Sequence, residues 1–318
     1  MLEKIKMLGI VPVVKIDDAE KAVPLAEALC RGGLMCAEIT FRTKAAEEAI
    51  RRISAAVPDM LVGAGTVLTP EQADKAKAAG AKFVVSPGFN PRVVKHCIDN
   101  NTAIFPGCSN PSDIEQALEL GLNCVKFFPA EQAGGIAAVK AMAAPYGNLV
   151  FLPTGGINAK NLNDYLSFER VIACGGSWMV DAALIDAGDF AAIEELTRTA
   201  VHTMLGFELA HVGINEPDEA QAEKTAKSFS DIFGFAYKPG SSSIFAGSYV
   251  EVMKTPYLGV RGHIAIRTNY IERAVSFLKA SGVKFNDGSA KYNDKGKLIA
   301  VYMQDEIGGF AVHLVQKQ

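Results

Sequence analysis

Eight short apolar runs, spaced by stretches of helical period, fill the first 206 residues and set the strongest limit on what this chain can fold into. The runs fall at 10–14, 35–40, 61–65, 82–86, 103–106, 124–128, 149–153 and 171–174. Between them lie Ala-, Glu- and Lys-rich stretches such as 18–31, 43–57, 70–80 and 189–205. Apolar runs without polar alternation are what strands look like when covered on both faces, as in a parallel sheet. Eight strand–helix units predict a closed (β/α)8 barrel of TIM type, with an open doubly wound sheet as the alternative.

Beyond Leu205 the rhythm changes. Residues 211–215 read as a strand, 218–233 as a helix and 243–254 as one or two strands; 263–268 then reads as a strand, 271–282 as a helix, and 297–304 and 310–316 as strands. That is one β-α-β-β(-β) unit written twice. His211-Val-Gly-Ile214 matches His263-Ile-Ala-Ile266, and Tyr249-Val-Glu-Val252 matches Ala311-Val-His-Leu314. An α+β domain of paired βαβββ modules is therefore expected over 207–318, after a barrel over 1–206.

Charge narrows the partners. Residues 1–206 carry 19 Lys+Arg against 23 Asp+Glu and residues 207–318 carry 13 against 12, so neither part has the basic excess that attracts phosphate backbones, and no nucleic acid is expected. The six cysteines (Cys30, Cys36, Cys97, Cys108, Cys124, Cys174) contain no C-x-x-C pair, which points to reduced thiols and a cytoplasmic location. The apolar run at 7–14 is cut off by Lys15, Asp17 and Asp18, unlike a signal peptide. Residues 141–159 are free of charge, but Pro145, Gly147, Pro153, Gly155 and Gly156 argue against a membrane helix.

In a barrel of this kind the reactive groups gather at the C-terminal ends of the strands. Lys126 is the most informative of them, because a lysine among Val125, Phe127 and Phe128 must desolvate its ammonium. That favours the neutral amine, which can attack a ketone. A lysine that turns its amine out to water or pairs with an acid is the plainer reading. Glu38, at the end of the second strand, suits proton transfer in Schiff-base chemistry, or else belongs to a structural ion pair. Arg42 and Thr66 are candidates to fix a substrate carboxylate, arginine through two parallel hydrogen bonds. Gly155-Gly156 and Gly175-Gly176-Ser177, after strands seven and eight, offer backbone N–H groups where such barrels hold a phosphate.

The first 205 residues resemble the 2-keto-3-deoxy-6-phosphogluconate (KDPG) / 4-hydroxy-2-oxoglutarate aldolase family. The matching stretches, in order, are Val11-Pro-Val-Val-Lys15, Glu38-Ile-Thr-Phe-Arg-Thr43, Val62-Gly-Ala-Gly-Thr-Val67, Ser86-Pro-Gly88, Val125-Lys-Phe-Phe-Pro-Ala-Glu131, Leu152-Pro-Thr-Gly-Gly-Ile157 and Gly175-Gly-Ser-Trp178. The resemblance implies a class I aldolase in which Lys126 forms a Schiff base with pyruvate and Glu38 is the acid/base. It further implies that Arg42 and Thr66 hold the pyruvate carboxylate. Gly155, Gly156, Gly176 and Ser177 would hold a distal phosphate, with Lys15 nearby and Pro87, Phe128 and Thr154 completing the pocket. No metal is implied for this step, and a homotrimer is. One stretch departs from the family's Pro-Gly, Thr, Glu pattern after strand five: Pro106-Gly-Cys-Ser-Asn-Pro-Ser-Asp113, where Asn110 and Asp113 stand in altered places.

Three of the chain's five histidines, His211, His263 and His313, fall at repeat-related strand positions, and Glu251 occupies the fourth. If the two modules pair about a pseudo-twofold axis, three imidazoles and a carboxylate converge into a plausible site for a divalent transition metal. Residues 207–318 resemble the vicinal-oxygen-chelate superfamily of glyoxalase- and dioxygenase-like proteins, on the two His strands, the Glu251 strand and Phe310-Ala-Val-His-Leu314. The usual ligand on that last strand is a glutamate, and here it is His313. The superfamily does not fix a reaction.

Two readings of the barrel follow: cleavage of the sugar-acid phosphate KDPG to pyruvate and glyceraldehyde 3-phosphate, or cleavage of an unphosphorylated 4-hydroxy-2-oxo acid. A non-catalytic sugar-acid sensor would not need both Glu38 and Lys126. For the second part the readings are a metal-dependent enzyme and a ligand-binding or assembly module.

Overall fold

A computed structural model describes residues 1–317. It divides into two compact units, Met1–Met204 and a second beginning at Leu205.

The first unit contains eight parallel strands: β1 (Ile10–Val14), β2 (Cys36–Thr40), β3 (Leu61–Gly65), β4 (Phe83–Val85), β5 (Ala103–Phe105), β6 (Cys124–Phe127), β7 (Val150–Pro153) and β8 (Cys174–Gly176). Six form one ladder in the order β5-β4-β3-β2-β1-β8, and β6 pairs with β7. Single parallel bridges, Gly107 to Lys126 and Thr154 to Gly175, join the edges of the two ladders. An open doubly wound sheet would leave two edges unpaired, so this unit is an α/β barrel-like fold. Every residue of β2 and of β3 is buried, as unbroken apolar runs demand of strands covered on both faces. Val11, Leu61, Phe83, Phe105 and Leu152 form one core layer, against which Ile5 of the helix Leu2–Leu8 packs. Each such side chain contributes about 1.5–3 kcal/mol on burial.

One sequence reading is corrected, the bounds of the eighth strand, and two other stretches gain a structure. The apolar run at 7–14 is split by Gly9 into the end of a helix and the start of β1. The eighth strand is Cys174–Gly176 and not 171–174; backbone pairing of Ile10, Val11 and Pro12 with Cys174, Gly175 and Gly176 sets its bounds, while Val171 makes a single bridge to Phe151. Asn110 and Asp113 cap a helix: Asn110 Oδ1 accepts from the Asp113 backbone N–H at 3.0 Å, and its Nδ2 donates to Asp113 Oδ2 at 2.8 Å.

All six cysteines are free thiols, and burial pushes those of Cys36 and Cys124 up, away from the reactive thiolate. Among the described residues no helix is long and apolar enough to cross a membrane.

The second unit is one eight-stranded mixed sheet made of β9 (Glu208–Asn215), β10 (Tyr237–Pro239), β11 (Ser243–Ala246), β12 (Val250–Met253), β13 (His263–Thr268), β14 (Lys291–Tyr292), β15 (Leu298–Tyr302) and β16 (Ala311–Gln316). Their order is β10-β11-β12-β9-β13-β16-β15-β14. The central pair β9/β13 is antiparallel, with β12 parallel to β9 and β16 parallel to β13. The helix Glu219–Phe233 packs Ala222 and Ala226 against Ile244 and Val252. Side chains alternate along a strand, so Phe245 and Glu251, which pair across β11 and β12, face the other way. The two outermost strands were not read in the sequence, being two or three residues long and largely exposed.

Candidate active site and metal-ligating cluster

The barrel-like unit brings Lys126 and Glu38 together from strands 88 residues apart, with Lys126 Nζ 3.4 Å from Glu38 Oε1. Both are buried, at 6% and 3% exposure, the Lys126 ammonium lying 5.4 Å from the centre of the Phe128 ring. Two charges taken out of water need each other: removing one partner of such a pair leaves the other uncompensated, at about 3–5 kcal/mol. The neighbouring strand makes the room. A Cβ at Gly65 would stand 2.1 Å from Glu38 Oε1, so the carboxylate occupies space that only glycine leaves open.

The other residues expected around this pair lie at neighbouring strand ends. Arg42 is exposed just past β2 and its Nε donates to Thr40 Oγ1 at 3.1 Å, while Thr40 donates to the carbonyl of Val14 at 2.8 Å. Thr66, at the end of β3, has φ 55, in the left-handed region that a β-branched residue avoids. Such a conformation costs on the order of 1–3 kcal/mol and persists where the surroundings impose it, often at binding sites. Pro87 is half-buried in the loop after β4.

The ends of β6, β7 and β8 are stitched together. Ala130 N–H donates to the carbonyl of Thr154 at 2.8 Å and Glu131 N–H to that of Gly155 at 3.1 Å; Tyr165 Oη donates to Glu131 Oε1. Thr154 and Gly176 are buried, whereas Gly156, Ser177 and Phe128 are exposed, at the rim. Lys15 is also exposed, just past β1, with its side chain paired to Asp17 at 2.5 Å. Thr40, Gly65 and the Glu131–Tyr165 pair were not singled out in the sequence. A glycine inside a buried strand was the signal available for Gly65; the roles of the others depend on contacts between distant segments.

In the second unit the sheet register assembles the four residues expected there. Gly213 of β9 is flanked by Glu251 on β12 and His263 on β13, and Ala265 of β13 by His211 on β9 and His313 on β16. All four side chains thus rise from two adjacent rows of one sheet face. The small residues between them are required: a Cβ at Gly213 would stand 1.9 Å from His263 Cε1.

The three imidazole rings lie 5.2–5.4 Å apart, centre to centre, and one nitrogen of each lies within 4.8 Å of the others. Glu251 Oε2 is 3.0 Å from His211 Nε2 and 3.1 Å from His263 Nε2. Its other oxygen accepts from Ser243 Oγ at 2.6 Å. Burial alone would raise the Glu251 carboxyl; His211, His263 and Ser243 together hold it well below the usual range. Burial, reinforced by His263 and His211, pushes the His313 imidazole down to about 3, so it stays neutral.

His313 is 8% exposed, and both its ring nitrogens are buried without a hydrogen-bond partner, as are His263 Nδ1 and His211 Nε2, the last facing Glu251 without hydrogen-bond alignment. Each such orphan costs about 1–3 kcal/mol. Ligand atoms sharing one tetrahedral ion, with bonds of about 2.0–2.1 Å, sit roughly 3.3 Å apart. The Glu251 spacings meet that, and the imidazole nitrogens, within 4.8 Å of one another, would draw in by at most about 1.5 Å. Three imidazole nitrogens and a carboxylate are a donor set of the kind that suits a transition ion. Ser243, Gly213, Ala265 and Tyr302, whose ring lies 4.3 Å from that of His313, were not anticipated.

Comparison with known proteins places the first unit. The family model for KDPG and KHG aldolase matches residues 1–196. A 2-dehydro-3-deoxy-phosphogluconate aldolase of Treponema pallidum is 53% identical over 198 residues, covering 62% of this chain and 94% of that protein. The KHG/KDPG aldolase of Escherichia coli K12 is 43% identical over 192 residues, 60% of this chain and 90% of its own length. The crystal structure of a Legionella pneumophila KDPG aldolase, with pyruvate captured as a covalent carbinolamine intermediate, superposes with a TM-score of 0.61 at 38% identity, covering 63% of this chain and 98% of that one.

Proposed function

This chain belongs to the KDPG and KHG aldolase family, and from that premise we propose that its first unit is a class I aldolase that cleaves KDPG to pyruvate and glyceraldehyde 3-phosphate through Lys126. The single observation that carries this reading is the buried Lys126–Glu38 contact at 3.4 Å, which sets an amine beside a proton carrier in a dry pocket.

In the proposed sequence Lys126 first passes a proton to Glu38, and the neutral Nζ adds to the C2 carbonyl of the substrate. Glu38 returns that proton to the resulting hydroxyl, which leaves as water and gives an iminium. Glu38, now a carboxylate, takes the proton from the C4 hydroxyl as the C3–C4 bond breaks. The bonding electrons move into the iminium, giving an enamine, and the aldehyde leaves. Protonation at C3 and hydrolysis return pyruvate and the free lysine. Arg42, anchored on Thr40, and Thr66 bind the carboxylate. Gly155, Gly156, Gly176 and Ser177 bind the phosphate, with Thr154, Pro87 and Phe128 shaping the pocket. Lys15, paired with Asp17, is the further candidate near the phosphate. No step needs a metal. The relative named for both KHG and KDPG makes 4-hydroxy-2-oxoglutarate the alternative substrate. Pyruvate release from each compound, in the wild type and in Lys126→Met, tests this: KDPG turnover lost in the variant is expected, and wild-type turnover of neither would refute it. A homotrimer, as the family resemblance implies, belongs to the same reading.

For the second unit we propose a vicinal-oxygen-chelate-like pair of βαβββ modules that holds a divalent transition metal through His211, Glu251, His263 and His313. The orphaned ring nitrogens support this over a purely structural cluster. When bound, the ion would polarise a ligand oxygen as a Lewis acid. One metal per chain in protein purified without chelator or affinity metal is expected; none, even after incubation with divalent ions, would leave a metal-free binding module.

A further inference from the structure

We propose that the His211–Glu251–His263–His313 cluster selects a late first-row transition ion of the cobalt, nickel, copper or zinc class over magnesium and calcium, and that His313 and Ser243 set this selectivity. The inference rests on the reading that the second unit binds metal, and adds to it which ion the chain's own residues choose.

The donor count decides it. Magnesium and calcium take six or more oxygen ligands. Here the face offers three imidazole nitrogens and one carboxylate, that of Glu251. Ser243, itself 7% exposed, donates to Oε1 at 2.6 Å and so orients the carboxylate, with Oε2 toward His211 and His263 at 3.0 and 3.1 Å. A carboxylate turned so that one oxygen faces the imidazoles favours one-oxygen ligation, whereas calcium often takes both.

His313 supplies the second discrimination. It stands on β16 at the place that Glu251 occupies on β12, each next to the central strand of its own module. A carboxylate there would give a two-nitrogen, two-oxygen set; the imidazole gives three nitrogens and one oxygen and makes the site less negative by one charge. Imidazole donors suit zinc, copper, iron and nickel, whereas carboxylate and water suit magnesium, calcium and manganese. The ring is held by contact and not by hydrogen bonds: Tyr302 packs at 4.3 Å on one side, and neither nitrogen has a partner. It is therefore free to present a nitrogen to the ion without breaking any bond.

The test uses the full chain, stripped with chelator and dialysed, then titrated with Co2+, Zn2+, Mg2+ and Ca2+ by calorimetry and by the visible absorption of Co2+. The expected result is one Co2+ per chain with an affinity on the order of 100-fold or more above Mg2+, displaced by Zn2+. His313→Glu should still bind Co2+ but narrow the Co2+/Mg2+ ratio and shift the Co2+ spectrum. Ser243→Ala should weaken Co2+ binding by about 10–100-fold. Wild-type protein binding Mg2+ as tightly as Co2+, or a ratio and spectrum unmoved in His313→Glu, would overturn the selectivity while leaving the metal site standing. Wild-type protein that binds none of the four would overturn both.

Discussion

The carboxylate of Glu38 fills the place where a side chain at Gly65 would begin: a Cβ built on Gly65 stands 2.1 Å from Oε1. The proton carrier of the proposed aldolase thus depends on a missing side chain on the neighbouring strand. Gly65→Ala should push Glu38 off Lys126 and lower kcat by about 100-fold or more, within the range that a positioned acid/base contributes. Steady-state kinetics check this; an unchanged kcat would show that Glu38 does not need this position.

Burial of the Lys126–Glu38 pair makes a stability prediction separate from activity. Lys126→Met strands a carboxylate in a dry core and should cost about 3–5 kcal/mol in denaturant unfolding. The double variant Glu38→Gln/Lys126→Met should recover most of that loss, because an uncharged pair needs no counterion. A double variant as unstable as the single one would place the cost in packing.

Thr66 holds φ 55 at the end of β3. Thr66→Gly relieves that strain, at a cost of roughly 0.5–1 kcal/mol from glycine's greater unfolded-state freedom. Stability should therefore move by no more than about 1–2 kcal/mol in either direction, while KM rises for any 2-keto acid substrate. Unchanged KM would remove Thr66 from the carboxylate site.

Ser177 lies exposed just past β8, beside the glycine pair proposed to bind phosphate. Ser177→Ala should raise KM for KDPG and leave KM for 4-hydroxy-2-oxoglutarate nearly unchanged. Equal effects on the two substrates would assign the residue to a shared part of the pocket.

Metal binding by the second unit should register as stability. An ion present at 100 times its dissociation constant stabilises the native state by about 2.7 kcal/mol. Thermal unfolding of protein loaded with Co2+ should shift upward, and His263→Ala should abolish that shift. A variant that keeps it would separate His263 from the ligand set.

Much of this architecture was legible in the chain. Unbroken apolar runs gave seven strands to within a residue or two, because burial on both faces leaves no other pattern. The eighth was displaced: its bounds depend on pairing with β1, and glycine-rich Cys174-Gly-Gly176 carries no apolar signal. Lys126 and Glu38 stood out as charged residues inside buried strands, and His211, His263, His313 and Glu251 through the repeat. Three features were invisible: the capping by Asn110 and Asp113, the Ser243 bond to Glu251, and the Tyr165 bond to Glu131. Each depends on the local chain path or on contacts between segments, which residue identity alone does not give.

The central claim is that Lys126 forms the covalent bond to substrate, and borohydride reduction in the presence of pyruvate tests it most directly. Peptide mass spectrometry should find one reduced pyruvate adduct per chain, on Lys126, absent from Lys126→Met. No adduct, or an adduct on another lysine that survives in the variant, would contradict the assignment of this chain's chemistry to Lys126.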